Sequence, residues 1–237
     1  MIYNKIINSW IILFLIFVDI FISVYGADVT PAQALKFVNS KMTKSNQVNK
    51  KPHINTMSKK TVNVYQVKTG IYAYASGLAV DTDGSDPDDD PDHQDETKWK
   101  DSDGESIGAH RVPYYVLGDT CPEETKPCPY FFYKEHNIAG LQFALFFFKG
   151  KAIGAVFGDT QGDSETDTSS NDSRELGEAS VKTAQLLGIN SSGTNGGVDS
   201  GVTVVIFSGS SWVVKGTNDN LSSKAQALVK KALNLLK

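Results

Sequence analysis

The hydrophobic residues of this 237-residue chain follow a two-residue period through much of its length, as β-strands do. Aromatic and β-branched residues alternate with polar ones, or form short runs that end at glycine or polar residues. The predicted strands cover residues 62–67, 71–74, 78–80, 112–117, 202–207 and 212–214, and residues 141–148 and 152–157 form a hairpin around Lys149-Gly150-Lys151. The middle of the chain is therefore predicted to be rich in β-structure.

Three segments repeat their apolar residues at helical spacing instead. The first begins at Thr30-Pro31, where threonine is a favourable N-cap and proline suits the first turn, and it runs to about residue 44. The second covers residues 178–187 and is closed by Gly188 at the C-cap position. The third is the amphipathic tail over residues 221–237.

These elements predict an α+β fold with a single β-rich domain. We expect a barrel or sandwich-like core, with helices near the N-terminus, after Glu178 and at the C-terminus, rather than a parallel doubly wound sheet. Residues 27–60 are predicted to be an N-terminal helix followed by a loose arm, because residues 45–60 are rich in Lys and Asn and lack a period. Residues 61–237 then form the main domain.

The N-terminus predicts the compartment. Residues 6–24 are almost entirely apolar, and small residues suited to cleavage follow, so residues 1–26 are predicted to be a secretory signal peptide. An uncleaved signal anchor is the alternative, since the block is nearly long enough to cross a bilayer. Asp19 argues against the anchor, because a carboxylate at mid-membrane costs roughly 2.5–3.5 kcal/mol. We expect a secreted, extracellular protein without a membrane partner after cleavage.

The composition excludes several classes of protein. A formal net charge of −4 excludes a broadly basic nucleic-acid binder, and 40% hydrophobic residues exclude a chain too polar to fold. Two cysteines, Cys121 and Cys128, are too few for a zinc ribbon, and in an oxidising compartment they are predicted to form a disulfide. The histidines lack metal-ligand spacing. We expect a monomer with no metal and no cofactor.

The segment from Asp81 to Glu105 is the most unusual in composition. It holds twelve acidic residues, and only Lys98 and Lys100 oppose them. Such a density of like charge repels itself unless a counter-charge is present. Three interpretations stay open: a solvated mobile loop, a calcium site, or a surface that attracts a cationic ligand, above all a polymer. An EF-hand is disfavoured, because the sixth position lacks glycine and the twelfth lacks glutamate.

Three carboxylates stand at the ends of predicted elements. Asp81 ends a strand beside a turn, where it would either serve a site or cap the turn with its own side chain. Asp159 ends another strand, and Glu178 opens the predicted second helix, each after a glycine. Two carboxylates that face one cleft can cleave a glycosidic bond, since one donates a proton and the other activates water or attacks directly. Without catalysis, Glu178 would simply suit the helix dipole.

Several runs of the chain occur in an order known from one family of enzymes. They are residues 77–85 (Gly-Leu-Ala-Val-Asp-Thr-Asp-Gly-Ser), 92–97, 112–117, Phe157-Gly158-Asp159-Thr160, Gly177-Glu178-Ala179-Ser180, 187–189, 196–197 and 202–207. Over residues 62–215 the chain resembles fungal-type chitosanases, family 75 of the glycoside hydrolases. The resemblance implies endo-acting hydrolysis of chitosan, the β-1,4 polymer of glucosamine, with inversion at the anomeric carbon and with Asp159 and Glu178 as the catalytic pair.

The chain departs from the family pattern between these two carboxylates. Gly162-Asp163 replaces a Gly-Pro pair, and a polar insert follows within the segment 161–176. Loop closure costs little more for a longer loop, so the insert is compatible with the same catalytic pair. Its acidic residues would make the cleft rim more negative.

The predicted partner is chitosan, whose free ammonium groups favour an acidic cleft. We assign Glu178 as the general acid and Asp159 as the general base, with the reverse assignment open. The predicted substrate-binding residues are Asp81, Asp83, Asp95, Glu96 and Tyr114. Three alternatives are kept: a non-catalytic secreted protein that binds calcium or a cationic wall polymer, a glycosidase acting on a partly acetylated polymer, and a secreted effector that has the fold without the activity.

Overall fold

The computed structural model describes residues 28–49, 53–118, 132–161 and 175–237. The apolar block at residues 6–24, the two cysteines Cys121 and Cys128, and residues 162–174 of the predicted insert lie outside the described residues. No helix within the described ranges is long and apolar enough to cross a membrane.

The described residues form nine strands and four α-helices. The strands are β1 (His53–Asn55), β2 (Thr61–Val62), β3 (Tyr65–Lys68), β4 (Ile71–Asp81), β5 (Tyr114–Gly118), β6 (Phe143–Phe148), β7 (Lys151–Gln161), β8 (Glu175–Ser180) and β9 (Val198–Phe207). The helices are α1 (Pro31–Lys41), α2 (Phe132–Glu135), α3 (Val181–Leu187) and α4 (Leu221–Leu235). This composition confirms the predicted β-rich α+β domain.

The strands form one mixed sheet that closes into a barrel. The sheet order is β2-β1-β8-β5-β7-β6-β9-β4-β3, and β8 also pairs with β4. That additional pairing joins β4, β8, β5, β7, β6 and β9 into a closed ring of six strands. Within the ring, the β5–β7 and β4–β8 pairs are parallel and the others are antiparallel. The predicted barrel-like core is confirmed, and closure removes two sheet edges that would otherwise be exposed.

Alternate residues along the strands divide between two hydrophobic clusters. One joins residues of β4, β5, β6, β7 and β9, including Tyr74, Tyr115, Phe146 and Phe157, and it fills the barrel. The Tyr115 ring lies 5.5 Å from the Phe157 ring and 6.0 Å from the Phe146 ring. The other cluster packs the opposite strand face against α1 and α4. With both faces covered, the six barrel strands form a rigid support for side chains at their ends.

Two predicted elements differ from the structure. Residues 71–74 and 78–80 belong to one strand, β4, which continues through an irregularity at Gly77. A Cβ atom at Gly77 would lie 2.4 Å from the carbonyl oxygen of Val198, so glycine permits the close approach of β9. Residues 212–214, predicted as a strand, instead begin within a short 3₁₀ helix that covers Ser210–Trp212, and Val213 makes only an isolated bridge to Gln142.

The N-terminal part is more ordered than a loose arm in the portion described. Helix α1 begins after Thr30, whose hydroxyl accepts a hydrogen bond from the Gln33 backbone N–H in a capping box, as the sequence predicts. Strand β1 then extends the sheet by parallel pairing with β8. The periodicity missed β1 because a three-residue strand is too short to show a period.

Candidate active site

The predicted helix start at Glu178 is wrong, and the difference determines the site. Glu178 lies within strand β8, and helix α3 begins three residues later at Val181. The Ser180 hydroxyl caps this helix by accepting a hydrogen bond from the Thr183 backbone N–H, and Gly188 closes it in the left-handed conformation, as predicted. Residues 175–180 are extended because β8 pairs with β5 on one side and with β4 on the other. The helix dipole therefore does not explain this glutamate.

Strand β5 places the two predicted catalytic carboxylates on either side of one residue. Val116 pairs with Asp159 of β7 and also with Glu178 of β8. Neighbouring strands lie about 4.8 Å apart, so the two Cα atoms are separated by at most about 10 Å. Residues opposite each other on paired strands project from the same face of the sheet. Asp159 and Glu178 thus flank Val116 on one face, although they are distant in sequence.

A glycine before each carboxylate makes this arrangement possible. Between Tyr115 and Val116 the partner in β7 advances from Phe157 to Asp159, which leaves Gly158 as an extra residue. Between Val116 and Leu117 the partner in β8 steps from Glu178 to Leu176, which leaves Gly177 as an extra residue. These are β-bulges, which re-aim the neighbouring side chain.

Both bulges require glycine for steric reasons. A Cβ atom at Gly158 would lie 2.6 Å from the Cβ of Tyr114. Gly177 has φ +96°, in the region that favours glycine, and a Cβ there would lie 2.4 Å from Nδ2 of Asn55. The two Gly-acid pairs noticed in the sequence are therefore two bulges of the barrel.

A cleft of about 640 Å³ opens above this face. Its walls are predominantly polar and acidic. The lining residues are Val80, Asp81, Thr82, Asp83, Asp90, Asp92, Gln94, Glu96, Thr97, Lys98, Val116, Asp159, Thr160, Gln161, Glu178 and Gly193. The volume and the acidic lining fit several units of a cationic polymer rather than an apolar ligand.

The cleft contains most of the predicted site residues and omits two. Asp81, Asp83 and Glu96 line it together with Asp159 and Glu178. Asp95 does not, because its side chain is 98% exposed and points to solvent beside His93. Tyr114 is completely buried, and its hydroxyl donates to the Asp83 carbonyl oxygen from below, so its ring offers no stacking face to a sugar. Tyr72, Tyr74 and Tyr115 are also buried, so their rings offer no stacking face either.

Backbone hydrogen bonds stabilise the ionised form of Asp159. Its Oδ1 accepts the backbone N–H of Lys98 and that of Thr160, each at 2.7 Å. Donors directed at a carboxylate favour its charged state. The Lys98 contact also ties the acidic segment to β7, so the loop and the strand together fix the direction of this side chain.

The environment of Glu178 favours its protonated form. Burial first, and then the nearby carboxylates Asp83, Glu175 and Asp159, raise the pKa of Glu178 from 4.5 to about 7, with a partial offset from Lys59. Its Oε2 accepts a hydrogen bond of 3.1 Å from the side-chain amide of Gln161. The two carboxylates flanking Val116 thus differ as an acid and a base must differ.

A third carboxylate, Asp81, lies at the end of β4, one strand beyond β8. One oxygen each from Asp81, Asp83 and Asp159 lie within 4.8 Å of one another. Burial, followed by the charges of Glu178 and Asp83, holds the pKa of Asp81 well above its ordinary range. Three carboxylates this close cannot all be ionised without a counter-charge, so they must share a proton or hold a cation.

The rest of the acidic segment is less mobile than a solvated loop. Asp86 pairs with Arg111, Asp88 pairs with His110, and Asp101 accepts the backbone N–H groups of Asp103, Glu105 and Asn218. Many of the twelve acids therefore fold the segment onto the barrel, whereas Asp90, Asp92 and Glu96 line the cleft.

Sequence reasoning missed one residue that contacts Glu178 in the cleft. Gln161 lies two residues after Asp159 in β7 and donates to Glu178. The two-residue period of a strand places positions 159 and 161 on the same face, so this signal was present in the sequence.

Comparison with known protein families identifies one match. Residues 78–236 match the family described as fungal chitosanase of glycosyl hydrolase group 75. No curated protein matches the chain significantly. Most glycoside hydrolases use two carboxylic residues that flank the scissile bond, and the cleft offers two such residues on either side of Val116. The chain belongs to the group 75 chitosanase family, and this membership supports hydrolysis of chitosan.

Proposed function

We propose that the protein is a secreted, endo-acting chitosanase that cleaves with inversion, using Glu178 as general acid and Asp159 as general base. The observation that carries the proposal is the position of Val116, which pairs with both carboxylates and separates them by two strand spacings. Inverting glycosidases place their carboxyl groups roughly 6.5–9.5 Å apart, with a water molecule between the base and the sugar. A spacing of at most about 10 Å between the two Cα atoms is compatible with that range.

The environments of the two carboxylates support the assignment of roles. A general acid must hold its proton at the working pH, and the pKa of about 7 at Glu178 keeps it protonated in the mildly acidic solutions where chitosan is charged. A general base must be ionised, and the two backbone N–H groups at Asp159 favour that state. Glu178 donates its proton to the leaving oxygen while Asp159 takes a proton from the attacking water.

The cleft walls support a cationic polymer as the substrate. Asp83, Asp90, Asp92 and Glu96 line the cleft around the pair. Each exposed contact with an ammonium group contributes about 1 kcal/mol or less and is screened by salt, but several along one chain add together. We propose that Asp81 orients the pair from its buried position.

Release of reducing ends from chitosan tests this function. We expect release to fall as the degree of acetylation rises and as salt is added, because acetylation removes the charges that the acidic walls bind. A polymer with most of its amines acetylated, hydrolysed as fast as chitosan, would favour the related-glycosidase alternative. No hydrolysis of any polymer would favour the non-catalytic alternatives.

A further inference from the structure

A chain of hydrogen bonds connects the cleft floor to the protein surface through Glu178. The side-chain amide of Gln161 donates to Oε2 of Glu178 at 3.1 Å and to Oε2 of Glu175 at 2.9 Å. The other oxygen of Glu175 accepts a hydrogen bond of 2.8 Å from the Lys59 ammonium group. The order is therefore Lys59, Glu175, Gln161 and Glu178, from solvent to the site.

Three strands or loops build this chain, and each contributes by its place in the sheet. Gln161 ends β7, two residues beyond Asp159, and Glu175 begins β8, three residues before Glu178. The Gly177 bulge lies between the two glutamates. Lys59 belongs to the turn between β1 and β2, and its side chain is 61% exposed, whereas that of Glu175 is only 11% exposed.

The Gln161 hydrogen bond favours one position for the proton of Glu178. The carbonyl oxygen of a protonated carboxyl group is a better acceptor than its hydroxyl oxygen, so an amide N–H donated to Oε2 favours the form with the proton on the other oxygen. The proton then resides on Oε1, the oxygen that Gln161 does not hold. Glu175 fixes the amide orientation because it also accepts from the same nitrogen.

We infer that Gln161 is a positioning residue that directs the acidic proton of Glu178 to Oε1, and that Glu175 and Lys59 tune when that proton is released. This inference rests on the proposed role of Glu178 as general acid. Gln161 orients the acidic proton of Glu178. Glu175 holds the Gln161 amide in place and opposes ionisation of Glu178, and Lys59 partly cancels the charge of Glu175.

The charges facing Glu178 come from several elements. Asp81 lies at the end of β4, Asp83 in the following loop and Asp159 in β7, and all three oppose its ionisation or are raised by its charge. Glu175 acts in the same sense from its own strand, and Lys59 acts in the opposite sense. Removing Glu175 or Lys59 therefore has effects of opposite sign on the pKa of Glu178.

The test is the pH dependence of kcat for a soluble glucosamine oligomer. The rate falls with rising pH as the general acid loses its proton, so this basic limb reports the pKa of Glu178. Glu175→Gln keeps an acceptor for Gln161 but removes the charge, and we expect the limb to move to lower pH by about 0.3–1 unit. Lys59→Met should move it to higher pH by a similar amount. Lys60→Met, which removes the same charge one residue along, is the matched control and should leave the limb within about 0.2 unit.

Gln161→Met tests the orientation directly. We expect kcat to fall about tenfold with KM within about twofold, since the variant keeps the volume but no longer directs the proton. Thermal unfolding shows whether each variant is folded. If Gln161→Met does not fold, Glu175→Gln and Lys59→Met decide whether the hydrogen-bonded chain affects proton release from Glu178.

Shifts of the same sign for Glu175→Gln and Lys59→Met, or no shift in either, would overturn the inference. An unchanged kcat in Gln161→Met would overturn the orientation. Failure of the proposed function has a different signature, because either the parent protein would hydrolyse no polymer or Glu178→Gln would stay active. If Glu178→Gln is inactive but the basic limbs of Glu175→Gln and Lys59→Met do not shift, the proposed function is supported and the inference is wrong.

Discussion

Replacing Glu178 by glutamine is expected to lower kcat for chitosan hydrolysis by about 10³-fold, with little change in KM. Glutamine has nearly the same shape and still offers an oxygen to Gln161, but it has no acidic proton for the leaving oxygen. General acid catalysis contributes typically 10²–10⁴-fold, and a loss confined to kcat marks an interaction made in the transition state. Initial rates of reducing-end release over a range of oligomer concentrations give both constants.

The stability of Glu178→Gln at two pH values shows whether the variant is correctly folded. The folded-state pKa of Glu178 is about 7 against an ordinary value of 4.5, so the folded protein binds this proton more tightly than the unfolded chain. Stability from the proton is therefore complete below about pH 4.5 and is lost as pH rises through about 7. We expect Glu178→Gln to be more stable than the parent at pH 8, by about 1–3 kcal/mol, and similar at pH 4. A less stable variant at pH 8 would mean that the activity loss reflects damage to the fold.

Asp159→Asn is expected to lower kcat by a similar factor, about 10²–10⁴-fold. Asparagine can still accept the backbone N–H groups of Lys98 and Thr160 through its amide oxygen, so the loop contact is kept. It cannot take a proton from water. The rate of the parent protein should decline at low pH because the base, Asp159, becomes protonated. The residual rate of Asp159→Asn should not show this decline.

A matched substitution separates this effect from a general change of charge. Asp199 is exposed on β9 and does not line the cleft, so Asp199→Asn removes the same charge elsewhere. We expect its kcat to stay within twofold of the parent. An Asp159→Asn variant that keeps more than a tenth of the parental kcat would show that another group activates the water.

The sequence predicts five of the six barrel strands, β4, β5, β6, β7 and β9, because each of them carries an alternating pattern or an apolar run of its own. The hairpin of β6 and β7 is visible in that pattern as two apolar runs buried on both faces, and helix α4 is visible because one of its faces packs on a hydrophobic cluster. Two bulges are not visible in it, because Gly158 and Gly177 acquire their meaning only when β5 pairs on both sides. For the same reason Glu178, next to a good helix, was assigned to the helix instead of to β8.

The sequence predicts the three carboxylates of the candidate site, but it does not predict correctly all of the other residues that line the cleft. Asp81 and Asp159 each end an apolar run, and Glu178 follows a glycine before a helical pattern, so these local signals need no tertiary information. Asp95 and Tyr114 were assigned to the substrate by residue type alone, and residue type does not reveal whether a side chain points to solvent or into the core. Asp95 is exposed outside the cleft and Tyr114 is buried below it.

The proposed inverting mechanism requires that Glu178 and Asp159 act on opposite sides of one glycosidic bond with water between them. Proton NMR during the first minutes of glucosamine-oligomer hydrolysis tests this geometry, because the anomer released first shows from which side water attacked. We predict that new reducing ends form as the α-anomer and convert to the β-anomer only by later mutarotation. Initial release of the β-anomer would mean retention, with a carboxylate attacking the sugar itself, and would contradict the assigned pair.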